Sequence, residues 1–325
     1  MLYVSDNNIA QGSFMKRSLS LVACLVFASI SAHAAPVRPA ITGVSHIAVY
    51  ATDPAKAETF YVHDLGATRG ADPENAAGAR YYVSPSQFIE VLPLPATQAD
   101  PKNRLDHVAF ATTDAEALRA YMASKKIIVP AHVSKGADGS QWFDTLDPEG
   151  NRVEFVQRPA TLPDVPVDPL AGHIIHVGYI IHNRALEDGF YRDVLGFKPY
   201  WYGGSEKDET PVWISQQVPD GSDWIEYMVQ KPLDGKGIPP QMSGQVAGIL
   251  NHFSLGVANI EATYTTLWNG GRLQGQDPNN LPKIGRDAKW QLNLYDPDGT
   301  RAEVMEFHAI GKPCCSAFTA TDPEK

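Results

Sequence analysis

The sequence repeats one short pattern four times, and this repeat constrains the fold more than any other feature. Each copy has a histidine followed by an apolar, a small and another apolar residue, with Asp or Asn seven residues after the histidine. The histidines are His46, His107, His176 and His252, and the Asp or Asn residues are Asp53, Asp114, Asn183 and Asn259. A short apolar run that ends at Asp or Asn is typical of a strand leading into a helix N-cap. The chain is therefore built from four copies of one small unit.

Two further motifs alternate along the four copies. The first and third copies share Phe-Tyr and Leu-Gly at equal distances from their histidines, in PAKAETFYVHDLGA and RALEDGFYRDVLGF. The second and fourth copies share Asp-Pro-x-Gly, in WFDTLDPEGNRVEFVQ and QLNLYDPDGTRAEVMEF. Glycine at positions 66 and 196 predicts helices that end in the left-handed conformation, and Asp-Pro-x-Gly predicts a β-turn. Each copy is therefore predicted to form strand–helix–strand–strand–strand, a βαβββ module.

Each copy also places one glutamate in its last strand. In the first and third copies the glutamate ends an aromatic-Ile-Glu sequence, and in the second and fourth it follows the Asp of the turn by seven residues. These glutamates are Glu90, Glu226, Glu154 and Glu303. A buried carboxylate is costly unless it is paired or bound to a metal ion, so four inward-facing glutamates beside four histidines indicate a metal site. Shared ancestry of the copies would explain the matching histidines without any metal.

The length and one proline-rich stretch predict two domains. A chain of 325 residues is long for one domain and comfortable for two. The segment RPATLPDVPVDPL has the composition of a linker and separates the first two copies from the last two. We expect domains at residues 41–158 and 172–309, a linker at 159–171 and a C-terminal tail at 310–325.

Residues 1–34 have the pattern of a secretory signal. Lys16 and Arg17 precede the apolar run LSLVACLVFASI, and Ala-His-Ala at residues 32–34 resembles a cleavage site. Two alternatives are a retained membrane anchor, for which the run is short, and lipidation at Cys24. We expect cleavage after the last alanine, a periplasmic or secreted location, and no membrane association once the signal is removed.

Composition excludes one class of partner and leaves others open. The formal net charge of −10 argues against nucleic acid, because neutralising phosphates needs a basic surface. Beyond the signal, the cysteines are the adjacent pair Cys314 and Cys315. Adjacent Cα atoms are about 3.8 Å apart, below the usual disulfide span of about 4.4–6.8 Å, so we interpret the pair as free thiols or as links to another chain. We expect a small-molecule substrate and a monomer or homodimer.

The chain resembles the vicinal-oxygen-chelate superfamily, which includes glyoxalase I, bleomycin resistance proteins and type I extradiol dioxygenases. The resemblance rests on the βαβββ unit, its paired arrangement, FYRDVLGF and DPDGTRAEVMEF, and it covers roughly residues 41–308. It implies an α+β fold in which four βαβββ modules pair into two cupped mixed β-sheet domains, each around a divalent metal ion. Members of the superfamily pair the first module with the second or with the fourth, so the pairing stays open.

The resemblance also implies which residues hold the metal ion. Ligands come from the first and last strands of each module. The first half offers His46, Glu90, His107 and Glu154, and the second half offers His176, Glu226, His252 and Glu303. Two imidazoles and two carboxylates form the glyoxalase-I-like set, which suits Zn²⁺, Ni²⁺, Mn²⁺ or Fe²⁺.

The same resemblance implies an exported lyase or isomerase of the glyoxalase type. In such enzymes the metal ion binds two neighbouring oxygens of an α-hydroxycarbonyl substrate and stabilises an enediolate. A glutamate acts as the general base that removes the proton next to the carbonyl. By resemblance this base is Glu303 or Glu226 in the second half and Glu154 or Glu90 in the first.

Two alternatives come from other members of the superfamily. An extradiol ring-cleavage dioxygenase would hold Fe²⁺ on His176, His252 and Glu303. Its characteristic tyrosine is replaced by Asn293, with Tyr295 two residues later, which puts this interpretation second. A non-catalytic small-molecule binding or resistance protein would lack the metal ligands. The complete ligand sets therefore argue against that third interpretation.

Overall fold

Each of the four copies folds as one strand, one helix and three further strands, as the repeat predicts. The computed structural model describes residues 36–97, 104–166, 170, 172–205, 208–230 and 251–324. The predicted signal segment, residues 1–34, lies outside the described residues. In the part of the chain that the structure describes, no helix is long and apolar enough to cross a membrane.

Within the part that the structure describes, the first two copies supply eight strands and two α-helices. The first copy consists of β1 (Ile41–Ala51), α1 (Pro54–Glu58), β2 (Thr68–Ala71), β3 (Ala79–Ser84) and β4 (Gln87–Pro93). The second consists of β5 (Leu105–Thr112), α2 (Ala115–Ser124), β6 (Ser134–Lys135), β7 (Gln141–Leu146) and β8 (Arg152–Gln157). Helix α1 continues into a π-helical turn at Thr59–Asp64.

In their described residues, the last two copies supply the other eight strands and two α-helices. The third copy consists of β9 (Ile174–Ile181), α3 (Arg184–Asp188), β10 (Lys198–Ser205), β11 (Asp208–Gln217) and β12 (Trp224–Val229). The fourth consists of β13 (His252–Val257), α4 (Ile260–Asn269), β14 (Lys283–Ile284), β15 (Trp290–Tyr295) and β16 (Arg301–Glu306). Helix α3 continues into a π-helical turn at Gly189–Val194.

The strands form two mixed sheets of eight strands each. Their orders are β2-β3-β4-β1-β5-β8-β7-β6 and β10-β11-β12-β9-β13-β16-β15-β14. Within each copy the first and last strands are parallel, and the first strands of two copies pair antiparallel at the centre of each sheet. The modules therefore pair first with second and third with fourth, which the sequence left open. The predicted α+β fold of paired βαβββ modules is confirmed.

Polar and glycine positions of the repeat set the ends of the helices. The N-cap residues are the four predicted from the repeat, Asp53, Asp114, Asn183 and Asn259. In each case the side-chain oxygen accepts one or two backbone N–H groups of the first helical turn. Gly66 and Gly196 follow the π-helical turns with φ of 77° and 82°, which is the left-handed ending that the sequence predicts.

The two alternating motifs meet each other between the two sheets. The hydroxyl of Tyr61 donates to Oδ2 of Asp296 at 3.0 Å, so the Phe-Tyr motif of the first copy contacts the turn of the fourth. On the other side, Tyr179 donates to Oδ2 of Asp147 at 3.2 Å and is hydrogen-bonded to the hydroxyl of Tyr191. Both aspartates also accept backbone N–H groups of their own turns. The repeated motifs thus link the two sheets twice, directly through Tyr61 on one side and by way of Tyr179 on the other.

The first strand of each module divides its side chains between a core and a site. Ile47 and Val49 are at most 1% exposed and belong to the main apolar core. Because successive side chains of a strand point to opposite faces, His46 and Ala48 lie on the other face of β1. On β9 the same alternation places His176 on one face of the strand and the apolar residues next to it in sequence on the other. Burial of the apolar face therefore stabilises the strands that carry the predicted ligands.

The C-terminal tail lies against the second sheet. Cys314 and Cys315 form a disulfide with each other, which corrects the interpretation as free thiols or links to another chain. Farther along, Asp322 accepts from the fully buried ammonium group of Lys289 at 2.9 Å. The ring of Phe318 packs on Tyr200 of β10 with 5.0 Å between ring centroids. These contacts fix the tail on the sheet through residues 314–322.

Candidate metal sites

The four central strands of the first sheet bring four predicted ligands together. His46 lies on β1, Glu90 on β4, His107 on β5 and Glu154 on β8. The Nε2 atoms of the two histidines are 2.9 Å apart. Oε2 of Glu90 lies 3.7 and 3.6 Å from these nitrogens, and the oxygens of Glu154 lie 3.6 and 3.8 Å from them. All four side chains are at most 3% exposed, so the site is closed to bulk water.

The second sheet repeats this arrangement with one difference. The Nε2 atoms of His176 on β9 and His252 on β13 are 3.0 Å apart. Oε2 of Glu303 on β16 lies 3.3 Å from the first nitrogen, and Oε2 of Glu226 on β12 lies 3.5 Å from the second. Three of these side chains are at most 4% exposed, whereas Glu226 is 14% exposed. Water therefore reaches one member of the second group.

The small residue of each repeat explains how the histidines can meet. Gly178 lies directly opposite His252 across the β9–β13 pair, and Ser254 lies opposite His176. A Cβ atom on Gly178 would lie 2.2 Å from Cε1 of His252, so the imidazole occupies the space that a larger side chain would fill. The same pairs in the first sheet are Ala48 with His107 and Ala109 with His46. Each copy thus makes room for the histidine of its partner copy.

Neighbouring side chains fix the orientation of the imidazoles. Phe88 stacks on His46 with 4.4 Å between ring centroids, and Trp224 takes the same position in the second sheet at 4.6 Å. Oδ2 of Asp106 lies 2.7 Å from Nδ1 of His107. Donation of Nδ1–H to this carboxylate leaves the lone pair of Nε2 directed into the site, an arrangement typical of metal-binding histidines.

Acidic side chains crowd the first site. Burial raises the pKa of Glu90 to about 10. Burial and the nearby carboxylates of Glu74 and Asp144 raise the pKa of Glu154 well above its ordinary value. Among the described residues, no donor gives a hydrogen bond to either carboxylate oxygen of Glu154. A cluster of buried carboxylates with unsatisfied oxygens is stabilised by a bound cation.

The two glutamates of the second site have opposite acidities. Burial alone would raise the pKa of Glu303, but Arg301 and the two histidines hold it at about 2. Burial and the charge of Glu303 raise the pKa of Glu226 to about 8. Glu303 is therefore the permanent carboxylate of this site, and Glu226 is the more basic one.

Both donor sets fit a divalent metal ion. Two imidazole nitrogens that bind one ion at right angles, each at about 2.1 Å, are about 3.0 Å apart. The observed separations are 2.9 and 3.0 Å. In two triads the ligand atoms all lie within 4.8 Å of one another: His46, His107 and Glu154, and His176, His252 and Glu303. A divalent metal ion is therefore the cofactor that these sites are built to hold, as the sequence predicts.

The structure brings all eight predicted residues together in two groups of four. Glu90 and Glu226 complete the groups but lie outside the two triads. The roles of individual residues as ligand or base stay predictions. Two other histidines near His176 lie elsewhere: His173 is 2.8 Å from a carboxylate oxygen of Asp223, and His182 is 2.9 Å from one of Glu149.

Sequence reasoning did not identify the arginine beside each site. Arg152 begins β8 and Arg301 begins β16, each two residues before the glutamate of its site. Each arginine also lies directly opposite a site histidine on the neighbouring strand. A signal was available, because both Asp-Pro-x-Gly motifs have arginine five residues after the aspartate. Its meaning depends on the register of the strands, which the sequence alone does not supply.

Comparison with known protein families gives a match for part of the chain. Residues 43–155 match the model of the glyoxalase/bleomycin resistance protein/dioxygenase superfamily. This match covers the first sheet, and the second sheet repeats its strand order. A search of curated protein sequences gives no match.

Solved structures of several enzymes have the same fold. The 2,3-dioxygenase LapB from Pseudomonas sp. KL28 is 15% identical, with a TM-score of 0.60, over 83% of this chain and 93% of that chain. Homoprotocatechuate 2,3-dioxygenase from Brevibacterium fuscum, in complex with 3,4-dihydroxyphenylacetate, is 16% identical, with a TM-score of 0.61, over 83% and 82%. The Mn(II)-bound glyoxalase from Novosphingobium aromaticivorans is 17% identical, with a TM-score of 0.60, over 82% and 83%. At these identities the likeness shows the fold alone.

Proposed function

We propose that the chain is a member of the glyoxalase/bleomycin resistance protein/dioxygenase superfamily, whose model matches residues 43–155, and that it is a divalent-metal enzyme of the glyoxalase type. Its substrate would be a small α-hydroxycarbonyl compound, and the active site would be the one in the second sheet. The reaction would move the proton next to the carbonyl group, as a lyase or isomerase does. We also propose that the signal segment directs the enzyme to the periplasm or outside the cell.

The observation that carries this proposal is the position of Glu226. The triad of His176, His252 and Glu303 accounts for three ligands, and Glu226 lies beside the triad rather than in it. It is also the one member of the group that water reaches, with 14% of its side chain exposed. A carboxylate beside the three residues that would hold the ion is placed to accept a proton from a substrate bound there.

Different residues of the chain would have different roles in proton transfer. When bound, a divalent ion supplies Lewis acidity to two neighbouring oxygens of the substrate. Arg301 and the histidines keep the carboxyl group of Glu303 ionised, so that it remains a ligand. Burial and Glu303 raise the pKa of Glu226 to about 8, which makes it the better proton acceptor near neutral pH. Trp224 stacks on His176 and excludes water from that side of the site.

Hydrogen exchange measures this reaction without knowledge of the natural substrate. The protein would be loaded with Zn²⁺, Ni²⁺ or Mn²⁺ and incubated in D₂O with glyceraldehyde, dihydroxyacetone and erythrulose, and deuterium next to the carbonyl would be measured by NMR. A general base contributes roughly 100- to 10,000-fold, so Glu226→Gln should lose at least about 100-fold while it retains its metal. Glu90→Gln, the equivalent change in the first sheet, is the control and should retain exchange. Equal exchange in Glu226→Gln and the wild type would exclude the assignment.

One observation favours a second candidate, an extradiol-type ring-cleavage dioxygenase. The triad of His176, His252 and Glu303 is the two-histidine, one-carboxylate set that suits Fe²⁺. Tyr295 lies directly opposite Arg301 on the face that carries the triad. The protein loaded with Fe²⁺ would be tested for oxygen consumption and for a coloured ring-cleavage product with a panel of catechols. Oxygen consumption on a catechol, with no exchange on any α-hydroxycarbonyl, would favour this candidate over the first.

A further inference from the structure

The two sheets can be compared residue by residue because their strand registers match. Arg152 lies opposite His107 in the first sheet, and Arg301 lies opposite His252 in the second. Both arginines therefore occupy the same place, one strand away from a site histidine. Neighbouring strands are about 4.8 Å apart, so an anion held by either arginine would lie next to the metal site.

The arginine of the first sheet is paired with two carboxylates. Arg152 donates to Oδ2 of Asp106, and its other terminal nitrogen donates to Oδ2 of Asp144 at 3.0 Å. Asp106 directly precedes His107, and Asp144 lies opposite Glu154 on β7. Two protein carboxylates thus neutralise this guanidinium group, and it has no need of an anionic ligand.

The second sheet has neutral side chains at both of these positions. Asn251 directly precedes His252, where the first sheet has Asp106. Asn293 lies opposite Glu303, where the first sheet has Asp144. Both acidic partners of the arginine are therefore replaced by amides, which carry no charge.

Arg301 accordingly has no hydrogen-bonded acidic partner within the part of the chain that the structure describes, although its charge acts on Glu303. Its guanidinium group makes no hydrogen bond or ion pair there, and its Nε atom is buried without an acceptor. The side chain is half-buried. Nearby, the side-chain oxygen of Asn293 is also buried without a donor. A partly buried guanidinium group with unused donors is costly unless a ligand supplies the acceptors.

The two sheets also differ at the residue that lies opposite the glutamate outside each triad. In the first sheet Arg80 lies opposite Glu90; its guanidinium group pairs with Glu74 and lies 4.2 Å from the ring centre of Phe88. Ser215 takes the place of this arginine in the second sheet, opposite Glu226. A small hydroxyl side chain thus replaces a long cationic one beside Glu226, the member of the second group that water reaches.

We propose that Arg301 binds a carboxylate group of the substrate, and that the substrate is a compact hydroxy- or oxo-carboxylic acid. The substrate carboxylate would take the place that Asp144 and Asp106 occupy in the first sheet. This inference rests on the proposed function, because it places the two oxygens of the substrate at the metal ion and the acid group one strand away. Arg301 determines specificity here, and proton transfer remains with Glu226.

Calorimetry with a charged probe and its neutral analogue tests the inference. The probes are 3,4-dihydroxybutyrate and 3,4-dihydroxybutyramide, which share a pair of neighbouring oxygens and differ in charge at a separate carbon. Hydrogen bonds to a charged group correspond to about a ten- to hundredfold preference for the acid in the metal-loaded wild type. Arg301→Gln should abolish this preference, whereas Arg152→Gln, the matched change in the first sheet, should retain it.

A second variant keeps the arginine and supplies a protein carboxylate. Asn293→Asp recreates the pairing of Arg152 with Asp144 and should reduce the preference for the acid at least about tenfold. Equal affinities for the two probes in the wild type, or an unchanged preference in Arg301→Gln, would overturn the inference. Deuterium exchange on the same samples separates the two proposals. If the protein catalyses exchange but shows no preference for the acid, only the role of Arg301 is refuted. If it prefers the acid but catalyses no exchange, the proposed proton transfer is refuted and the carboxylate site at Arg301 is supported.

Discussion

Replacing Gly178 with alanine tests how two modules bring their histidines together. The added Cβ atom would lie 2.2 Å from Cε1 and 2.7 Å from Nδ1 of His252, whereas an ordinary contact begins at 3.4 Å. The imidazole must therefore move by about 1.2 Å, or the two central strands must separate. Metal–ligand distances tolerate changes of about 0.2 Å, so the second site should lose His252 as a ligand. Overpacking of this kind costs about 1–3 kcal/mol of folding free energy.

The substitution affects one sheet only, and this makes the assay selective. The first sheet already has Ala48 opposite His107, so its site should retain its ion. Calorimetric titration with Mn²⁺ should give two ions per chain for the wild type and one for Gly178→Ala. Gly189→Ala is the control, because a Cβ atom there would meet nothing within 4 Å. Two ions bound by Gly178→Ala, with affinities within twofold of the wild type, would refute the reasoning.

Three further predictions address the surroundings of the sites and the contact between the sheets. Asp106→Asn should weaken binding of Zn²⁺ in the first sheet about 10- to 100-fold and leave the second sheet unchanged, as measured by competition with a chromophoric chelator. Tyr61→Phe removes a donor to the buried Asp296 and should lower the free energy of unfolding in urea by about 1–3 kcal/mol; a loss below about 0.3 kcal/mol would contradict this role. Burial raises the pKa of Asp296 to about 6, above the value of an unfolded aspartate, so the native state retains this proton at a pH where the unfolded chain has lost it. The contribution of Asp296 to the free energy of unfolding should therefore fall as the pH rises from about 4 to about 6. Urea unfolding of wild type and Asp296→Asn measures this contribution as the difference between their unfolding free energies. A difference that stays constant over that pH range would contradict the prediction.

The periodic part of the structure could be predicted because each signal is local. A histidine-containing strand, an N-cap seven residues on and a left-handed glycine each depend on neighbours in sequence, and the helix caps and turns formed where the repeat placed them. The glutamates at positions 90, 154, 226 and 303 followed from the same repeat. Four copies of a local pattern give four chances to recognise it, which is why the module was clear.

The remaining features depend on which strands become neighbours. The sequence shows the small residues at Gly178 and Ala48, but their purpose appears only when the first strands of two modules pair antiparallel. Arg301 appears in the sequence as one charge in a turn motif. Among the described residues it has no hydrogen-bonded acidic partner, and this depends on Asn293, which is eight residues away in sequence and close to it in the sheet. Register across strands is a tertiary property, and a single sequence does not fix it.

The disulfide between Cys314 and Cys315 and the burial of Lys289 share this explanation. Both depend on how the C-terminal tail lies on the second sheet. The tail has no periodic pattern that would predict a strand or a helix. Its position is set by separate contacts, among them the hydrogen bond from Thr319 to the backbone of Tyr200. Such contacts become visible only in three dimensions.

Metal content per chain tests the central claim most directly. The protein would be loaded with Mn²⁺, freed of excess metal and measured by elemental analysis, alongside Glu154→Gln and Glu303→Gln. The two triads predict two ions per chain in the wild type and one in each variant, with the remaining ion in the unmodified sheet. Less than a tenth of an ion per chain in the wild type, or unchanged content in both variants, would contradict the assignment of the two sites.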